Sequence, residues 1–258
     1  MNDKEYLIRK FDEKREEYAY KPKNYENRVI CFLDILGFSK TVNISSNNDK
    51  TLRSILRAIE YFYIYKYNKE VMRETLPSSL QISQFSDSIV ISYLIDDNII
   101  FSDFIREIKY SFIYTLVREG MLVRGSITYG KLIHDNSLLV GPALIEAYNL
   151  EVNIAKYPRI IVTNKLLDSI LSNTNNLYDK EYEEKFFQEH IKKDNDNIFF
   201  IDIFNSMLHI VDDEFLFYLQ DLYKIILEGL KSENKNIKSK YLWMREKYNS
   251  MDENEKIP

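Results

Sequence analysis

The sequence has little of what builds disulfides and zinc sites. Its 258 residues include one cysteine, Cys31, and three histidines. A single cysteine cannot form an internal disulfide, and no cluster of cysteines and histidines has the spacing of a zinc site. Cys31 lies inside the apolar run Val29–Leu33, so we expect a buried and inert thiol.

Long apolar runs are also missing, and so is an excess of basic residues. No run approaches the roughly 18–20 apolar residues that a membrane-spanning helix needs. The first residues are charged from the third onward and lack the apolar core of a signal peptide. The formal net charge is −5, which argues against a large nucleic-acid surface. We therefore expect a cytoplasmic protein that contacts neither nucleic acid nor membrane directly.

The chain is rich, by contrast, in apolar and aromatic residues. It is 45% hydrophobic and 29% charged, and it carries 20 tyrosines and 15 phenylalanines. This composition is that of a soluble globular protein with a sizeable core. We expect most of the aromatic rings to pack in that core and at a subunit interface.

The periodicity of the first half predicts an α/β (α+β) fold. Short runs rich in β-branched and aromatic residues predict strands, and helical spacings predict helices between them. Strands are predicted at 28–34, 80–85, 88–94 and 121–129, with helices at about 50–70 and 96–119. Ser86-Asp87 joins the second and third strands as a hairpin. The resulting order is strand, helix, strand, strand, helix, strand (βαββαβ).

Shorter elements are predicted in the second half and at the two ends. They are a hairpin around 134–136, a helix from 141 to about 154, strands at 159–162 and 198–204, a polar loop at 172–197, closing helices at about 213–230 and 234–249, and an N-terminal helix at 2–20. From these we expect three parts: an N-terminal helical arm (1–24), a main domain (25–205) and a C-terminal helical extension (206–258).

Two aspartates end apolar strands in this plan. Asp34 precedes a glycine-containing turn into a helix, and Asp87 lies at the hairpin tip. Free amides at a helix N-terminus favour phosphate, and carboxylates favour hard cations such as Mg²⁺ or Mn²⁺. If the two strands are neighbours, both carboxylates can serve a site with two metal ions. For either aspartate alone, a cap or turn residue is the simpler interpretation.

The residues around both aspartates resemble those of class III nucleotidyl cyclases. FLDILGF at 32–38 resembles the metal-binding opening of that family, and FSDS at 85–88 resembles its second metal site, with serine in place of the usual glycine. RGSITYG at 124–130 resembles the strand that ends in glycine. GPALIEAYNLE at 141–151 resembles the helix that completes the site across a dimer. The resemblance covers about residues 28–205 and implies a class III cyclase-like sheet flanked by helices.

That resemblance implies specific roles for the site residues. Asp34 and Asp87 would bind two Mn²⁺ or Mg²⁺ ions, joined by the carbonyl of Ile35. Arg124 matches a triphosphate-binding arginine. The amides that would hold phosphates belong to Leu36, Gly37 and Phe38.

Two positions of the helix at 141–151 depart from the family pattern. Ile145 and Asn149 stand where the well-studied purine cyclases carry an asparagine and, four residues on, an arginine that stabilise the transition state. Ile145 cannot hydrogen-bond a ribose, and Asn149, kept as a candidate catalytic residue, cannot neutralise phosphate charge. A second hypothesis is therefore a non-catalytic relative that binds a nucleotide or a partner.

The base-reading positions point away from purines. They appear as Ser83 and Pro142, and neither offers the usual charged partner for a purine edge. The strings FSDSIVISY, GPALIEAY and AKYPRIIV resemble the pyrimidine cyclases of bacterial antiphage (Pycsar) systems. This implies conversion of UTP, or alternatively CTP, to the 3′,5′-cyclic monophosphate and pyrophosphate. It also implies a homodimer with shared active sites and a downstream effector that reads the cyclic nucleotide.

Other polar positions have simpler interpretations. Lys156 and Arg159 could meet phosphate, but a solvated turn before a strand is simpler. His134-Asp135 could supply a general base, but a polar hairpin turn is simpler. The lysine-containing segment 231–240 is most simply a solvated helix face. An aspartyl-phosphate hydrolase is disfavoured because Leu36 stands where such enzymes need a second aspartate.

Overall fold

The computed structural model describes residues 5, 6, 9, 10, 24–67, 79–96, 101–172, 180–204, 212–251 and 256–258. Within these residues the chain forms a mixed α/β fold in which helices flank an eight-stranded sheet. The predicted fold class is confirmed. No described helix combines the length and the apolar character needed to cross a membrane.

The strands are β1 Glu26–Ile35, β2 Gln81–Phe85, β3 Ser88–Leu94, β4 Val123–His134, β5 Leu139–Val140, β6 Ile160–Val162, β7 Ile191–Lys193 and β8 Phe199–Ile201. The described helices are α1 Phe38–Ser45, α2 Asp49–Tyr67, α3 Phe101–Glu119, α4 Pro142–Asn153, α5 Asn164–Ser172, α6 Lys180–His190, α7 Asp212–Leu230 and α8 Lys235–Asn249. The predicted order through β4 is confirmed.

The sheet places β1 between β3 and β4. The strand order is β2-β3-β1-β4-β6-β8-β7, and β5 pairs with β4 at the side. β1 runs antiparallel to both β3 and β4, and β4 runs parallel to β6. Because the hairpin strand β3 lies directly beside β1, the condition for bringing Asp34 and Asp87 together is met.

The two faces of the sheet differ in what covers them. Alternate residues of a strand point to opposite faces, and Val29, Cys31 and Leu33 point into a large core shared with α2 and α3. The opposite face carries Ile30 and Phe32, which form a small cluster with buried residues of β3, β4 and α4. Asp34 has the parity of the second face. The candidate site therefore lies on the more sparsely covered side of the sheet.

The segment predicted as a polar loop at 172–197 is in part regular structure. It contains α6 and β7, and the sequence analysis also overlooked α5. The sequence of α6 is mostly charged, which hides its apolar face, yet Phe186 and Phe187 on that helix are buried. Phe187 packs edge-on against Phe101 of α3 with 5.6 Å between ring centroids.

Most of the predicted N-terminal helix lies outside the described residues; the four that are described, at 5, 6, 9 and 10, are helical. The expected division into arm, main domain and C-terminal extension stays a prediction.

Candidate active site

Asp34 and Asp87 meet at one end of the central strands. Asp34 pairs with Ser88 of β3 on one side and with Arg124 of β4 on the other. The backbone N–H of Ile35 donates to the carbonyl of Asp87 over 3.1 Å. This ladder fixes the hairpin tip beside the end of β1, close enough for the carboxylate of Asp87 to raise the pKa of Asp34.

The environment of Asp34 disfavours the ionised form of its carboxyl group. Its side chain is 17% exposed. Burial raises the pKa of Asp34, Arg124 opposes that rise, and repulsion from Asp87 adds to it. A second carboxylate this close disfavours the ionised form of Asp34. A divalent ion between them would remove that repulsion.

Arg124 stands between two carboxylates. Its Nε lies 3.3 Å from Oδ2 of Asp34 and 2.5 Å from Oε1 of Glu151 on α4. The contact with Glu151 is an ion pair by distance but lacks the alignment of a directed hydrogen bond. The side chain of Arg124 remains 24% exposed, so its guanidinium can still meet a ligand.

Glu151 is a site residue that the sequence analysis missed. It is 2% exposed, and burial together with Asp34 and Asp87 raises its pKa to about 7, against the lowering effect of Arg124. Ala143 and Ala147 are the other buried residues of α4. Glu151 continues that four-residue spacing. The sequence could have identified it, because its carboxylate falls on the apolar stripe of the helix.

The turn after β1 has the geometry expected of a phosphate-binding turn, with one amide already used. Gly37 adopts a left-handed conformation with φ of 77°, which favours glycine, and α1 begins at Phe38. The N–H of Leu36 donates to the carbonyl of Leu122 over 2.8 Å. The expected phosphate contacts therefore narrow to the amides of Gly37 and Phe38, because the first amides of a helix have no acceptor within it.

Ser83 lies in a chain of hydrogen bonds on the same sheet face. Its Oγ is 2.9 Å from Nε2 of His134, and Nδ1 of His134 is 2.8 Å from Oγ of Ser92. Nε of Arg28 donates to that same oxygen over 2.9 Å. The predicted hairpin turn begins one residue after His134, which is itself the last residue of β4 and is not a base beside the carboxylate pair. His134 is a buried link at the end of β4.

Asn149 lies on the exposed surface of α4. Ile145 is 64% exposed, and together with Asn149 and Pro142 it lines a groove of about 600 Å³. Glu151, two residues beyond Asn149, points to the buried side, as two helical steps of about 100° dictate. Any role of Asn149 in the reaction would therefore require a second subunit against this groove.

Lys240 of α8 is a second residue that the sequence analysis missed. The segment 231–240 was expected to be solvated, but Lys240 is half-buried, and burial lowers its pKa; Arg124 lowers it further, whereas Asp34 raises it. Trp243 and Met244, three and four residues on, are buried, so Lys240 belongs to the packed face of α8. The spacing of Lys240, Trp243 and Met244 in the sequence already indicated that they share one face of the helix.

The C-terminal helix α8 is fastened to the sheet through Asp194. Trp243 donates to Oδ2 of Asp194 over 2.8 Å, and Lys247 lies 2.5 Å from Oδ1. Arg159 also pairs with Asp194 and is fully buried. The solvated turn expected at Arg159 is wrong, and this arginine is committed to structure. Its carbonyl accepts from the N–H of Gly125, next to Arg124, over 3.1 Å.

The donor set of the site fits hard divalent cations. In the described part of the chain, no three histidine, cysteine, aspartate or glutamate side chains are arranged to hold a metal. Mg²⁺ and its relatives are commonly held by one or two carboxylates plus substrate phosphates rather than by an all-protein cage. Asp34 and Asp87 match that arrangement, with the carbonyl of Ile35 as the expected third donor.

Comparisons with known proteins give a distant likeness in structure. No protein-family model matches the sequence, and no curated protein matches it. Among solved structures, the chain resembles the crystal structure of the adenylyl cyclase CyaB from P. aeruginosa, with 11% identity and a TM-score of 0.45 over 73% of this chain and 98% of that one. A likeness this distant assigns no activity and no substrate.

Proposed function

We propose that the protein is a metal-dependent pyrimidine nucleotide cyclase that converts UTP to 3′,5′-cyclic UMP and pyrophosphate. The observation that carries this proposal is the meeting of Asp34 and Asp87 beside Arg124, next to the start of α1. Two carboxylates, a guanidinium and helix N-terminal amides are complementary to a triphosphate with its cations. The resemblance of the sequence to pyrimidine cyclases narrows the substrate to UTP, with CTP as the alternative.

In this mechanism the chain binds, orients and neutralises the substrate. Asp34 and Asp87 would hold two Mn²⁺ or Mg²⁺ ions, which supply activation of the ribose 3′-hydroxyl and charge neutralisation of the leaving pyrophosphate. Gly37 and Phe38 would donate their amides to phosphate oxygens. Arg124 would offset the charge that develops on the phosphates, and Glu151 would keep its guanidinium in place. No protein nucleophile is needed.

The direct test is incubation of the purified protein with each of the four ribonucleoside triphosphates and Mn²⁺. We expect cyclic UMP and pyrophosphate from UTP, detected by mass spectrometry and by a phosphate assay coupled to added pyrophosphatase. If none of the four yields a cyclic product while nucleotide binding is retained, the cyclase proposal fails. That outcome would favour the second candidate, a non-catalytic nucleotide-binding relative, which the exposed Asn149 and Ile145 motivate.

We propose that Lys240 compensates for the missing arginine at position 149. It has no ion-pair partner among the described residues. The charges of Arg124 and Asp34 both shift its pKa. Replacing Lys240 with methionine keeps the aliphatic stem and removes the charge. Because the arginine it would replace stabilises the transition state, we expect kcat with UTP to fall about tenfold, since a hydrogen bond to a charged group contributes about 1.5–3 kcal/mol.

The matched control for this variant is Lys238→Met, because Lys238 is exposed on the same helix. It should leave kcat and the KM unchanged. Equal effects of the two substitutions would show that Lys240 acts through the stability of α8 rather than through the substrate.

The surface around the site suits a second copy of this chain. Ile145 and Tyr148 on α4 are 64% and 50% exposed, and Phe85 at the hairpin is 85% exposed. Apolar side chains exposed this far beside a half-covered sheet face are typical of an interface. A second copy would also bring its own α4 groove, with Asn149, against this face. We therefore include a homodimer with shared sites in the proposal.

Ile145→Glu tests the dimer. A buried charge at the interface should convert the dimer to a monomer in sedimentation velocity and abolish product formation together with it. The exposed position of Ile145 on the single chain leaves the fold of the monomer intact. Glu184→Gln, on a charged helix remote from this surface, is the control. A wild-type protein that sediments as an active monomer would contradict the shared site.

The biological role we propose is an antiphage signal read by a downstream effector. Expression of the protein with its effector should protect bacteria from phage, and Asp87→Asn should remove that protection. Protection that survives Asp87→Asn would contradict a role for cyclic nucleotide synthesis.

A further inference from the structure

Residues 256–258 lie along the outer side of α8, and we call them the strap. The N–H of Ile257 donates to Oδ1 of Asn249 over 2.8 Å, and Nδ2 of Asn249 donates to the carbonyl of Ile257 over 2.9 Å. Arg245 donates to the backbone oxygen of Pro258 over 2.7 Å. Arg245 and Asn249 are four residues apart and share one face of the helix. Side chains of α8 therefore hold the strap by its backbone, as a neighbouring strand holds an extended peptide.

Ile257 is the part of the strap that enters the core. It is 3% exposed, whereas the residues on either side of it are exposed. It lines a cavity of about 840 Å³ together with Tyr157, Leu242 and Trp243. The rings of Tyr157 and Trp243 stack with 5.4 Å between their centroids. The strap is thus seated in an aromatic groove whose volume is in the range of ligand sites, and Ile257 is its anchor.

The strap and Asp194 hold α8 from opposite sides. Trp243 and Lys247 bind Asp194 on the side of the sheet. Arg245 and Asn249 follow these two residues by two positions each, which is a rotation of about 200° around the helix axis. α8 therefore lies between the sheet and the strap, and opening of the strap leaves the helix held from one side.

The position of α8 matters to the proposed active site because the helix carries Lys240. Lys240 is half-buried, and the charges of Arg124 and Asp34 both shift its pKa. Interactions between charges weaken with distance, so a displaced helix would weaken the link between Lys240 and the site. The strap binds α8 further along the helix, at Arg245 and Asn249. Its effect on Lys240 therefore passes through the helix.

The strap is held weakly enough to open. One of its three side chains is buried, and the hydrogen bonds to Asn249 and Arg245 replace bonds to water, which makes their net contribution modest. The conformational entropy lost by ordering three residues offsets much of this gain. Segments with so few buried contacts are those that open locally in folded proteins.

We infer that the groove on α8 is a binding site for an extended peptide with a buried aliphatic side chain, and that the strap occupies it as a switch. The closed strap holds α8 and Lys240 at the proposed active site, and opening of the strap lowers catalysis. The inference rests on the proposed function and adds a regulatory site to it, away from the carboxylate pair.

Trp243 makes the state of the strap measurable, because it is the single tryptophan of the chain and is 6% exposed. Ile257→Asp places a charge in an apolar site and should open the strap. We expect the emission of Trp243 to shift to longer wavelength and its quenching by acrylamide to increase. Asn249→Ala, which removes both hydrogen bonds to Ile257 without adding a charge, should act in the same direction. Ser239→Ala is the matched control, because Ser239 lines the same cavity and donates within the helix.

The link to the active site is measured by a double-mutant cycle with Lys240→Met. Ile257→Asp should lower kcat with UTP about tenfold, as Lys240→Met is expected to, because the same charged hydrogen bond is lost. The double variant should lose little more, since the strap acts through Lys240. Circular dichroism of all three variants should match that of the wild-type protein. Losses that multiply in the double variant would overturn the inference.

The other outcomes separate this inference from the cyclase proposal. If Trp243 stays equally protected in Ile257→Asp, or becomes exposed without a fall in kcat, the strap is not a switch and the cyclase proposal stands. If the wild-type protein makes no cyclic product, the cyclase proposal fails. Hydrogen exchange of the α8 amides around Lys240 then decides whether the strap holds the helix. Faster exchange in Ile257→Asp supports that role, and unchanged exchange overturns it.

Discussion

Asp34→Asn is expected to reduce formation of cyclic UMP by more than about hundredfold. Even residues that only support a metal ligand typically change affinity or activity by about 10- to 100-fold when mutated, and Asp34 is proposed as a direct ligand of both ions. Asparagine has nearly the same shape but lacks the negative charge. The measurement is the initial rate with UTP and Mn²⁺, with product quantified by mass spectrometry.

The free energy of unfolding of this variant shows whether activity is lost because a metal ligand is missing or because the protein is unfolded. The fold raises the pKa of Asp34, through burial first and despite Arg124, so replacing this carboxylate with a neutral amide should not lower the free energy of unfolding at neutral pH. Asp168→Asn, on the exposed side of α5, is the control and should keep full activity. An active Asp34→Asn enzyme would remove Asp34 from the proposed site.

Asp194→Ala is expected to destabilise the protein by about 3–5 kcal/mol. Asp194 is the shared acceptor for Arg159, Trp243 and Lys247. Arg159 keeps Asp196 as a second partner in the variant. However, Trp243 and Lys247 lose their acceptor, and a buried donor left without a partner costs about 1–3 kcal/mol, more when it is charged. Urea unfolding followed by circular dichroism would show the midpoint falling without a change in the slope.

The pH dependence of this anchor follows from the pKa of Asp194. Burial raises that pKa, but hydrogen bonds from Lys247, Asn195 and Trp243 outweigh the effect and hold it below its usual value. Its contribution is therefore present at neutral pH and is lost as the pH falls through the pKa of the folded state. Asp221→Ala, which breaks an exposed pair with Lys224, should cost less than about 1 kcal/mol. Equal losses of unfolding free energy in the Asp194 and Asp221 variants would contradict the role of Asp194 in holding α8 to the sheet.

The carboxylate pair could be predicted because its signals are local. Asp34 ends an apolar run, and Asp87 lies between two strand-forming runs. The two residues come together as soon as β1 pairs with β3. That pairing follows from the hairpin and from the hydrophobic face that both strands share. The fold through β4 was predictable for the same reason, since each element there has a clear period.

The rest of the site depends on packing between segments far apart in the chain. Glu151 meets Arg124 only because α4 packs across β4, and Lys240 approaches them from the C-terminal helix. Ser83 and His134 are 51 residues apart. No window of sequence contains these pairs. α6 was missed for a different reason: its charged residues outnumber the two phenylalanines that it buries.

The most direct test of the central claim is a count of bound Mn²⁺ by electron paramagnetic resonance, with the α,β-methylene analogue of UTP present. The proposed site predicts two ions per chain in the wild-type protein, coupled to each other as neighbours about 3.5–4 Å apart, and loss of the coupled signal in Asp87→Asn. A wild-type protein that binds no Mn²⁺ with the analogue, or one whose Mn²⁺ binding is unchanged by Asp87→Asn, would contradict it.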